Sequence, residues 1–307
     1  MNMSRKVKLL GRMLKDPFFR FHYLASKGFM SKIAAEEFLK KEYKFHFGKD
    51  LDLDVPKTYT EKLQWLKLYD HRPEYTTMVD KYAVKQYVAD RIGQEYVIPL
   101  LGVWERAEDI NFDSLPDRFV LKTTHDSGGL VVCKDKSLLD IKAAQKKLAH
   151  FLNRQYYDYN REWPYKNVKP RIIAEQYMED SAYKELRDYK FFTFGGVPKV
   201  LYIAQGRGKG EPTVADFFDM EFNHLPFTID HDMADVPPQK PKNFELMQKL
   251  ATKLSEGTPQ LRVDFYEVDG KVYFGEMTFF HCSGFAPFHP EEWDRIFGDW
   301  VVLPQKQ

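Results

Sequence analysis

One stretch near the C-terminus constrains the fold most strongly. Residues 261–280 read LRVDFYEVDGKVYFGEMTFF, two β-favouring runs separated by Asp269-Gly270. An Asp-Gly pair between two such runs is a strong signal for a tight turn that joins antiparallel strands. The sequence therefore predicts a β-hairpin here, and any fold of this chain must accommodate it.

Pairing across this hairpin sets two carboxylates opposite each other. Asp264 faces Glu276, and the two-residue period of strands puts Arg262 on the Asp264 face and Thr278 on the Glu276 face. Opposed like charges destabilise a sheet unless something neutralises them, and Mg²⁺ is held by such carboxylates together with nucleotide phosphates. The alternative is a pair of acidic residues that face water. It is disfavoured by the apolar neighbours, which are Val263, Phe265, Phe274 and Phe279.

A polar loop separates two shorter apolar runs earlier in the chain. Residues 118–132 read RFVLKTTHDSGGLVV, which predicts a strand that ends at Lys122, a loop and a second strand. Gly128 and Gly129 let backbone N–H groups approach an anion, and the lysine supplies a positive charge for phosphate. A Walker loop, GxxxxGK[ST], is absent. Two interpretations stay open, a phosphate-binding loop and an ordinary hairpin. His125 either contacts phosphate or shapes the turn.

Two further runs carry polar residues at informative places. Residues 172–178, IIAEQYM, form an apolar strand whose end can offer backbone groups and a flat apolar wall to a purine. The runs DYKFFTF and VPKVLYIAQ flank Gly195-Gly196, which predicts a second hairpin. Lys190 in the first of these runs is isolated among apolar residues, and a buried lysine needs an anion.

The rest of the chain adds helices. Helical spacing predicts helices within residues 1–50, 58–69, 80–93, 138–152 and 243–254, with Thr58 or Thr60 and then Asp80 as N-caps. Residues 153–170 are predicted to form an irregular loop. Residues 206–212 are predicted to form a polar loop, in which Arg207 would be either a mobile clamp over substrate or a solvated charge. Helices followed by sheets with inserted helices indicate the α+β class.

Composition and charge exclude several classes of protein. Two cysteines, Cys133 and Cys282, are too few for a disulfide framework and fit a reducing cytoplasm. No run approaches the ~18 apolar residues of a membrane helix, and no secretory signal is predicted. Residues 1–49 hold 12 Lys and Arg against 4 Asp and Glu, a net charge of +8, which leaves −7 for the rest because the whole chain is +1.

This basic N-terminal arm has two interpretations. It is either a helical lead-in packed on the body of the protein or a docking helix for a membrane surface or a partner protein. Because the remainder has no excess of positive charge, we expect no nucleic-acid partner.

In their order along the chain, these motifs resemble the ATP-grasp superfamily of carboxylate–amine ligases. Within it they resemble the TupA-like family, found among polysaccharide-biosynthesis proteins. The resemblance extends from about residue 56 to residue 300. It rests on Asp80-Lys81, VLKTTHDSGG, IIAEQYM, DYKFFTFGGVPK, RVDFY, and GEMTF followed by SGFAPF. Each motif is modest alone, and the ordered set carries the resemblance.

The resemblance implies an α+β ATP-grasp fold, in which two subdomains grip ATP behind an N-terminal helical region. We expect the basic helical region at residues 1–55 and a lead-in to the N-terminal subdomain at 56–115. The small subdomain with the nucleotide lid is expected at 116–180, and the C-terminal subdomain with the metal site at 181–307.

The resemblance also implies roles for individual residues. Arg262 would steady the substrate carboxylate and its acyl phosphate, with Lys122 and the backbone at Gly284 as the other catalytic groups. Asp264, Glu276 and Thr278 would hold magnesium, although many ATP-grasp ligases place asparagine at the position of Thr278, which leaves a second metal position open. Nucleotide contacts would come from Lys81, Lys122, Thr124, His125, Ser127, Gly128, Gly129, Glu175, Gln176, Tyr177, Met178 and Lys190.

The implied reaction joins a carboxylate to an amine through an acyl phosphate and yields ADP and phosphate, with ATP and Mg²⁺ as cofactors. The substrates would be a small-molecule or saccharide carboxylate and an amine such as an amino acid, with a uronic acid or a glutamate chain as the acceptor. The location would be the cytoplasm, including the inner membrane face. Three alternatives stay open, a glycosyltransferase of the same pathway, an ATP-grasp kinase and a non-catalytic nucleotide-binding scaffold.

Overall fold

The computed structural model describes residues 9, 11–26, 28–181, 186–206 and 213–306. The described residues therefore do not include residues 207–212, where a loop with Arg207 was predicted, or the first residues of the basic arm. The described residues contain helices and antiparallel strands. The helices are α1 (Pro17–Ser26), α2 (Ala35–Phe47), α3 (Tyr59–Tyr69), α4 (Pro73–Val79), α5 (Ala83–Ile92), α6 (Ile141–Leu152), α7 (Tyr157–Asn160), α8 (Phe244–Ser255) and α9 (Glu292–Trp300).

The strands of the described residues form three antiparallel sheets. A four-stranded sheet has the order β1-β4-β2-β3, a six-stranded sheet the order β11-β10-β5-β6-β7-β8, and a small sheet pairs β12 with β9. The strands are β1 (Leu100–Trp104), β2 (Phe119–Thr123), β3 (Leu130–Cys133), β4 (Ile172–Gln176), β5 (Asp188–Phe194), β6 (Val197–Gln205), β7 (Val214–Phe218), β8 (His224–Leu225), β9 (Thr228–Ile229), β10 (Gln260–Val268), β11 (Lys271–Thr278) and β12 (Phe288–His289). The predicted α+β class is thereby confirmed.

The two larger sheets belong to separate hydrophobic clusters. Phe119, Leu121 and Ala174 of the four-stranded sheet pack with Leu148 of α6 in one cluster. The six-stranded sheet packs on α8 and on the helices that precede residue 100 in the other. The fold therefore has two packed bodies of sheet and helix, and the residues between the sheets are available to form a site.

Capping residues fix where two of the helices begin. Thr58 accepts a hydrogen bond from the Glu61 amide, and the Glu61 carboxylate accepts one from the Thr58 amide, so that Thr58 rather than Thr60 is the N-cap of α3. The prediction of Asp80 as an N-cap is wrong, because α5 begins at Ala83 with Tyr82 as its N-cap. Asp80 Oδ1 instead accepts from the Tyr82 amide at 2.9 Å in the preceding turn. The helix predicted from residue 138 begins at Ile141, because Asp140 accepts from the Ala143 amide. Residues 153–170, expected to be irregular, include the short helix α7.

The predicted hairpin register is confirmed. Strands β10 and β11 pair so that Asp264 lies opposite Glu276 and Arg262 opposite Thr278, with the turn after Val268. On its other side β10 pairs with β5, which sets Asp264 beside Lys190. The chain thus gathers two cations and two carboxylates on neighbouring strands of one sheet.

The described part of the basic N-terminal arm packs on the body of the protein. Phe21 of α1 and Phe38 of α2 are buried in the larger core. Arg161 of the 153–170 segment, itself 1% exposed, donates to the Met30 carbonyl and lies 4.3 Å over the Phe38 ring. This packing agrees with the lead-in interpretation of the arm. Over the residues that the structure describes, every helix is too short or too polar to cross a membrane.

Candidate active site

A cavity of about 500 Å³ lies between the two larger sheets. Both sheets contribute to its wall, together with α5 and the 153–170 segment. Of the predicted site residues, the following line it: Lys81, Lys122, Ser127, Gly128, Gly129, Glu175, Lys190, Arg262, Glu276 and Thr278. Motifs that are almost 200 residues apart in the sequence therefore meet at one place.

The glycine loop between β2 and β3 follows a path that side chains would obstruct. A Cβ built on Gly129 would lie 1.7 Å from Thr123 Oγ1. That hydroxyl donates to Asp126 Oδ1, and Gly128 adopts a φ of 100°, in the left-handed range that favours glycine. The two glycines are therefore required by the loop that forms this part of the cavity wall.

Lys81, in the turn before α5, binds the same loop. Its Nζ donates to the Asp126 carbonyl at 2.6 Å, and its amide donates to the Thr124 carbonyl at 3.2 Å. Burial lowers the pKa of the Lys81 ammonium, and the nearby carboxylates of Glu276 and Asp126 oppose that shift. The lysine thus fixes the loop and places a cation beside the cavity.

Glu175 is held between two lysines. Its carboxylate lies 2.6 Å from Lys122 Nζ and 2.5 Å from Lys85 Nζ, and Lys85 also donates to the Ile98 carbonyl at 2.9 Å. Burial acts to raise the pKa of Glu175, but the charges of Lys122 and Lys85 outweigh it and leave the pKa lowered. One buried carboxylate therefore orients two cations at the cavity wall.

Arg262 is the most highly connected side chain of the site. Its Nε and Nη2 donate to the two oxygens of Asp264 at 2.7 Å, and Nη2 also donates to Glu276 Oε1 and Thr278 Oγ1 at 2.9 Å. Its Nη1 lies 2.7 Å from His281 Nδ1. Burial and the charge of Arg262 hold the pKa of His281 well below its usual value, so the neutral imidazole accepts this hydrogen bond.

Asp264 has a second cationic partner. Lys190 Nζ lies 2.5 Å from Asp264 Oδ2 and 3.3 Å from Asp188 Oδ2. Burial acts to raise the pKa of Asp264, but Arg262 and Lys190 prevail and lower it to about 2. The sequence predicted that Lys190 needs an anion, and that anion is Asp264.

The oxygens expected to bind magnesium differ in their access to the cavity. The Glu276 side chain is 47% exposed and lines the cavity with Thr278. Asp264 is fully buried, with both oxygens bonded to Arg262 or Lys190. Within the described ranges, no group of three or more His, Cys, Asp or Glu side chains is arranged to hold a metal ion. Mg²⁺ is nevertheless commonly held by one or two carboxylates and substrate phosphates. Glu276 fits that arrangement, and a metal role for Asp264 stays a prediction.

Several predicted nucleotide contacts lie outside the cavity wall. Thr124 Oγ1 donates to the Lys169 carbonyl and accepts from the Arg171 amide, both at 3.1 Å. His125 Nε2 lies 3.1 Å from the Arg154 carbonyl. Both residues connect the glycine loop to neighbouring segments in this structure. The other predicted nucleotide contacts that do not line the cavity are Gln176, Tyr177 and Met178. Gly284, expected as a catalytic backbone group, does not line it either. The roles of these four residues stay predictions.

A buried polar cluster supports the turn at residues 281–284. Lys67 Nζ donates to the Ser283 carbonyl at 2.8 Å, and Gln64 Nε2 donates to the Ser283 and Gly284 carbonyls at 3.1 and 2.9 Å. Cys282 and Ser283 adopt φ values of 47° and 53°, which few residues other than glycine accept. The side chains of α3 thus hold a backbone segment of the cavity in a conformation that it would not adopt unaided.

The sequence analysis missed several residues of the cavity wall. They are Lys85, Tyr156, Glu162, Tyr165 and Asp188. A signal for the supporting cluster was present in α3. One face of α3 is buried and carries polar residues at helical spacing beside Leu63. They are Thr60, Gln64 and Lys67. A lysine on the apolar face of a helix indicates a buried polar site.

Two sheets enclose a cavity, and the wall of this cavity carries lysines, a glycine loop and a hairpin with carboxylates. This arrangement defines an ATP-grasp protein. The chain belongs to the TupA-like ATP-grasp family, whose family model matches residues 61–302. The resemblance carried by the ordered motifs is confirmed to that extent. A comparison with curated proteins finds no match.

Solved structures offer distant similarities. D-alanine–D-alanine ligase from Bacillus anthracis, solved as a complex with ATP, has 15% sequence identity and a TM-score of 0.41, over 66% of this chain and 54% of that one. Phosphoribosylamine–glycine ligase from Thermotoga maritima has 14% identity and a TM-score of 0.42, over 67% and 48%. D-alanyl-alanine synthetase A from Vibrio cholerae has 11% identity and a TM-score of 0.41, over 71% and 57%. The matched part thus spans about half of each of these chains.

Proposed function

We propose that this protein is a Mg-ATP-dependent ligase that joins a carboxylate to an amine. A substrate carboxylate oxygen attacks the γ-phosphorus of ATP, and ADP leaves with the electron pair of the broken P–O bond. The amine nitrogen then attacks the carbonyl carbon of the acyl phosphate, and phosphate leaves as the C–N bond forms. Protons released by the amine pass to phosphate and solvent. The second step has a good leaving group, which a free carboxylate lacks.

The observation that carries the proposal is that lysines and an arginine line the same cavity. Lys81 and Lys122 lie at the glycine loop, where a nucleotide phosphate would bind. Arg262 lies in the same cavity wall on the hairpin and is oriented by Asp264. Preorganised cations stabilise the charge that develops in both transition states without reorganising during the reaction.

The contacts of individual residues support a role for each in this proposal. Lys122, whose ammonium is directed by Glu175, would bind a nucleotide phosphate, and the amides of Ser127 to Gly129 would bind another. Arg262 would bind the substrate carboxylate and then the acyl phosphate. Mg²⁺, held by Glu276 and the phosphates, would supply charge neutralisation at the transferred phosphoryl group. None of these roles requires a nucleophilic side chain.

Family membership favours a place in the biosynthesis of surface polysaccharide. There the carboxylate would belong to a uronic acid or to a growing glutamate chain, and the amine to an amino acid. This assignment of substrates rests on the family alone. It selects the first compounds to test.

Hydroxylamine trapping tests the proposal without knowledge of the amine. The full-length protein is incubated with Mg-ATP, hydroxylamine and one carboxylate at a time, including glucuronate, glutamate and oligomers of each. The proposal predicts hydroxamate and ADP in equal amounts with a suitable carboxylate, and loss of both in Lys122→Ala. A stable phosphorylated sugar without hydroxamate would indicate a kinase instead. Absence of ADP with every carboxylate, in protein that binds nucleotide, would contradict the ligase assignment.

A further inference from the structure

One part of the cavity wall has no role in nucleotide or carboxylate binding as described so far. The 153–170 segment contributes Tyr156, Glu162 and Tyr165 to the wall, and Ser283 lies beside them. This segment is fixed to the body of the protein, because Arg161 is buried against Phe38 and donates to the Met30 carbonyl. Its side chains are therefore held in position and do not belong to a solvated loop.

Glu162 is a buried carboxylate with one oxygen still available. The residue is 4% exposed, and its Oε1 accepts a hydrogen bond from Ser283 Oγ. Asn160 Nδ2 donates to that same hydroxyl at 2.7 Å, so the carboxylate is oriented through Ser283. Among the described residues, no group donates a hydrogen bond to Glu162 Oε2, and no lysine or arginine forms an ion pair with this side chain. A buried carboxylate without a direct cationic partner favours a cationic ligand.

Lys67 is the cation whose charge acts most strongly on Glu162, but among the described residues the two side chains form no ion pair. Its Nζ donates to the Ser283 carbonyl and packs 4.6 Å over the Phe285 ring. Burial lowers the pKa of Lys67 to about 7, against the opposing charges of Glu162 and Glu42. The positive charge available to Glu162 from the protein is therefore limited.

Two tyrosines, Tyr156 and Tyr165, line the same cavity as the Glu162 carboxylate. The rings of Tyr156 and Tyr165 pack edge to face, with centroids 4.7 Å apart. The charge of Glu162 is the largest cause of the raised pKa of Tyr156, which indicates that the phenol and the carboxylate are close. Aromatic faces attract cations and add to the attraction of a carboxylate.

We propose that Glu162, Tyr156 and Tyr165 form a subsite for the ammonium group of the amine substrate. The inference rests on the proposed ligase function for the identity of that substrate, whereas the subsite itself is a site for primary ammonium cations. An anionic group at this place would face Glu162 and be repelled. Its position in the wall that also carries Arg262 and Glu276 would bring the nitrogen close to the acyl group, which it would attack as the neutral amine after the ammonium has released one proton to solvent.

The test uses n-butylammonium as probe and n-butanol as its neutral isostere. Dissociation constants are measured by saturation-transfer NMR on the full-length protein, in wild type, Glu162→Gln and the control Glu276→Gln. Glu276 is a second carboxylate in the cavity wall, so the control separates a specific site from general attraction to negative charge. Tyr165→Leu is a further variant that leaves the carboxylate intact and decides the question if Glu162→Gln does not fold.

The subsite predicts that wild type binds n-butylammonium at least tenfold more tightly than n-butanol. Glu162→Gln should lose at least tenfold in affinity for the cation, Tyr165→Leu about threefold or more, and Glu276→Gln less than twofold. Equal binding of the two probes, no binding of the cation, or an equal loss in Glu276→Gln would overturn the proposal. Calorimetry with a non-hydrolysable ATP analogue on the same samples reports separately on the ligase proposal, because the ammonium measurement contains no nucleotide.

Discussion

Arg262 and Asp264 form a two-point ion pair in the candidate site, with Nε to Oδ1 and Nη2 to Oδ2 both at 2.7 Å. They lie two residues apart on β10 and therefore on the same face of the strand. The pair directs Nη1 of the guanidinium to His281 and Nη2 to Glu276 and Thr278. In this structure Asp264 acts on the site through the orientation of Arg262.

Replacing Asp264 by Asn tests that role. The variant removes the charge that orients Arg262 and leaves two buried cations with less compensation, which costs about 3 kcal/mol of the free energy of unfolding. We expect phosphate release to fall at least a hundredfold, while affinity for a Mg-ATP analogue falls less than tenfold. Urea unfolding, phosphate release and calorimetry measure the three quantities. Asp299→Asn, at an exposed pair with Arg295, is the control and should change none of them. A loss of nucleotide affinity as large as the loss of activity would instead indicate that Asp264 binds metal.

Because Asp264 is ionised in the fold, we expect the free energy of unfolding to fall in acid. Its pKa is about 2 in the folded protein and 3.8 in its ordinary state. A lowered pKa stabilises the fold above the ordinary value, and this contribution disappears as the pH falls through the folded value. It amounts to about 2 kcal/mol. The difference in unfolding free energy between wild type and Asp264→Asn should therefore shrink between pH 5 and pH 2.5, as measured by urea unfolding. A constant difference would show that the charge of Asp264 contributes nothing.

Gly129→Ala tests the path of the glycine loop. The added Cβ would lie 1.7 Å from Thr123 Oγ1 and 3.0 Å from Asp126 Oδ1, so the loop must move. We expect affinity for a Mg-ATP analogue to fall at least tenfold in calorimetry, because the loop amides would no longer meet a phosphate. Gly11→Ala is a matched control, since nothing lies within 4 Å of its added Cβ. Unchanged affinity in Gly129→Ala would remove the loop from the nucleotide site.

Because Lys67 is buried, we expect the free energy of unfolding to rise with pH. Its pKa is about 7 in the folded protein and 10.5 ordinarily, because burial disfavours the charged form. Between these values the unfolded chain binds a proton that the folded protein has released, so the free energy of unfolding increases with pH. The slope attributable to Lys67 is at most about 1.4 kcal/mol per pH unit. Urea unfolding of wild type between pH 7 and pH 9.5 should show a steeper rise than Lys67→Met. Parallel profiles would mean that Lys67 keeps its proton in the fold.

Local patterns were sufficient to predict most of the elements that carry the site. The Asp269-Gly270 turn sets the register, and the register sets Asp264 opposite Glu276. Chain order and the glycine loop then indicated the family. These features depend on short-range geometry, namely turn type, strand period and the φ values that glycine allows.

Other features depend on contacts between distant segments, and the sequence gives little access to them. Mg²⁺ was expected to neutralise the opposed carboxylates, whereas Arg262 and Lys190 neutralise Asp264 in the structure. Glu162 and Ser283 are 121 residues apart and meet because α3 and the 153–170 segment pack on the same turn. The 153–170 segment has no helical or strand periodicity in its sequence, so the sequence does not indicate such a contact. The direction of the side chains within residues 172–178 is likewise set by tertiary packing.

Calorimetry with a non-hydrolysable ATP analogue tests the central claim most directly. Wild type, Lys122→Ala, Glu276→Ala and the exposed-residue control Glu105→Gln are titrated with and without Mg²⁺. The account predicts magnesium-dependent binding to wild type and to the control, weakened at least tenfold in Lys122→Ala and in Glu276→Ala. Absence of binding to folded wild type, or binding that both site variants retain unchanged, would contradict a nucleotide site between these two sheets.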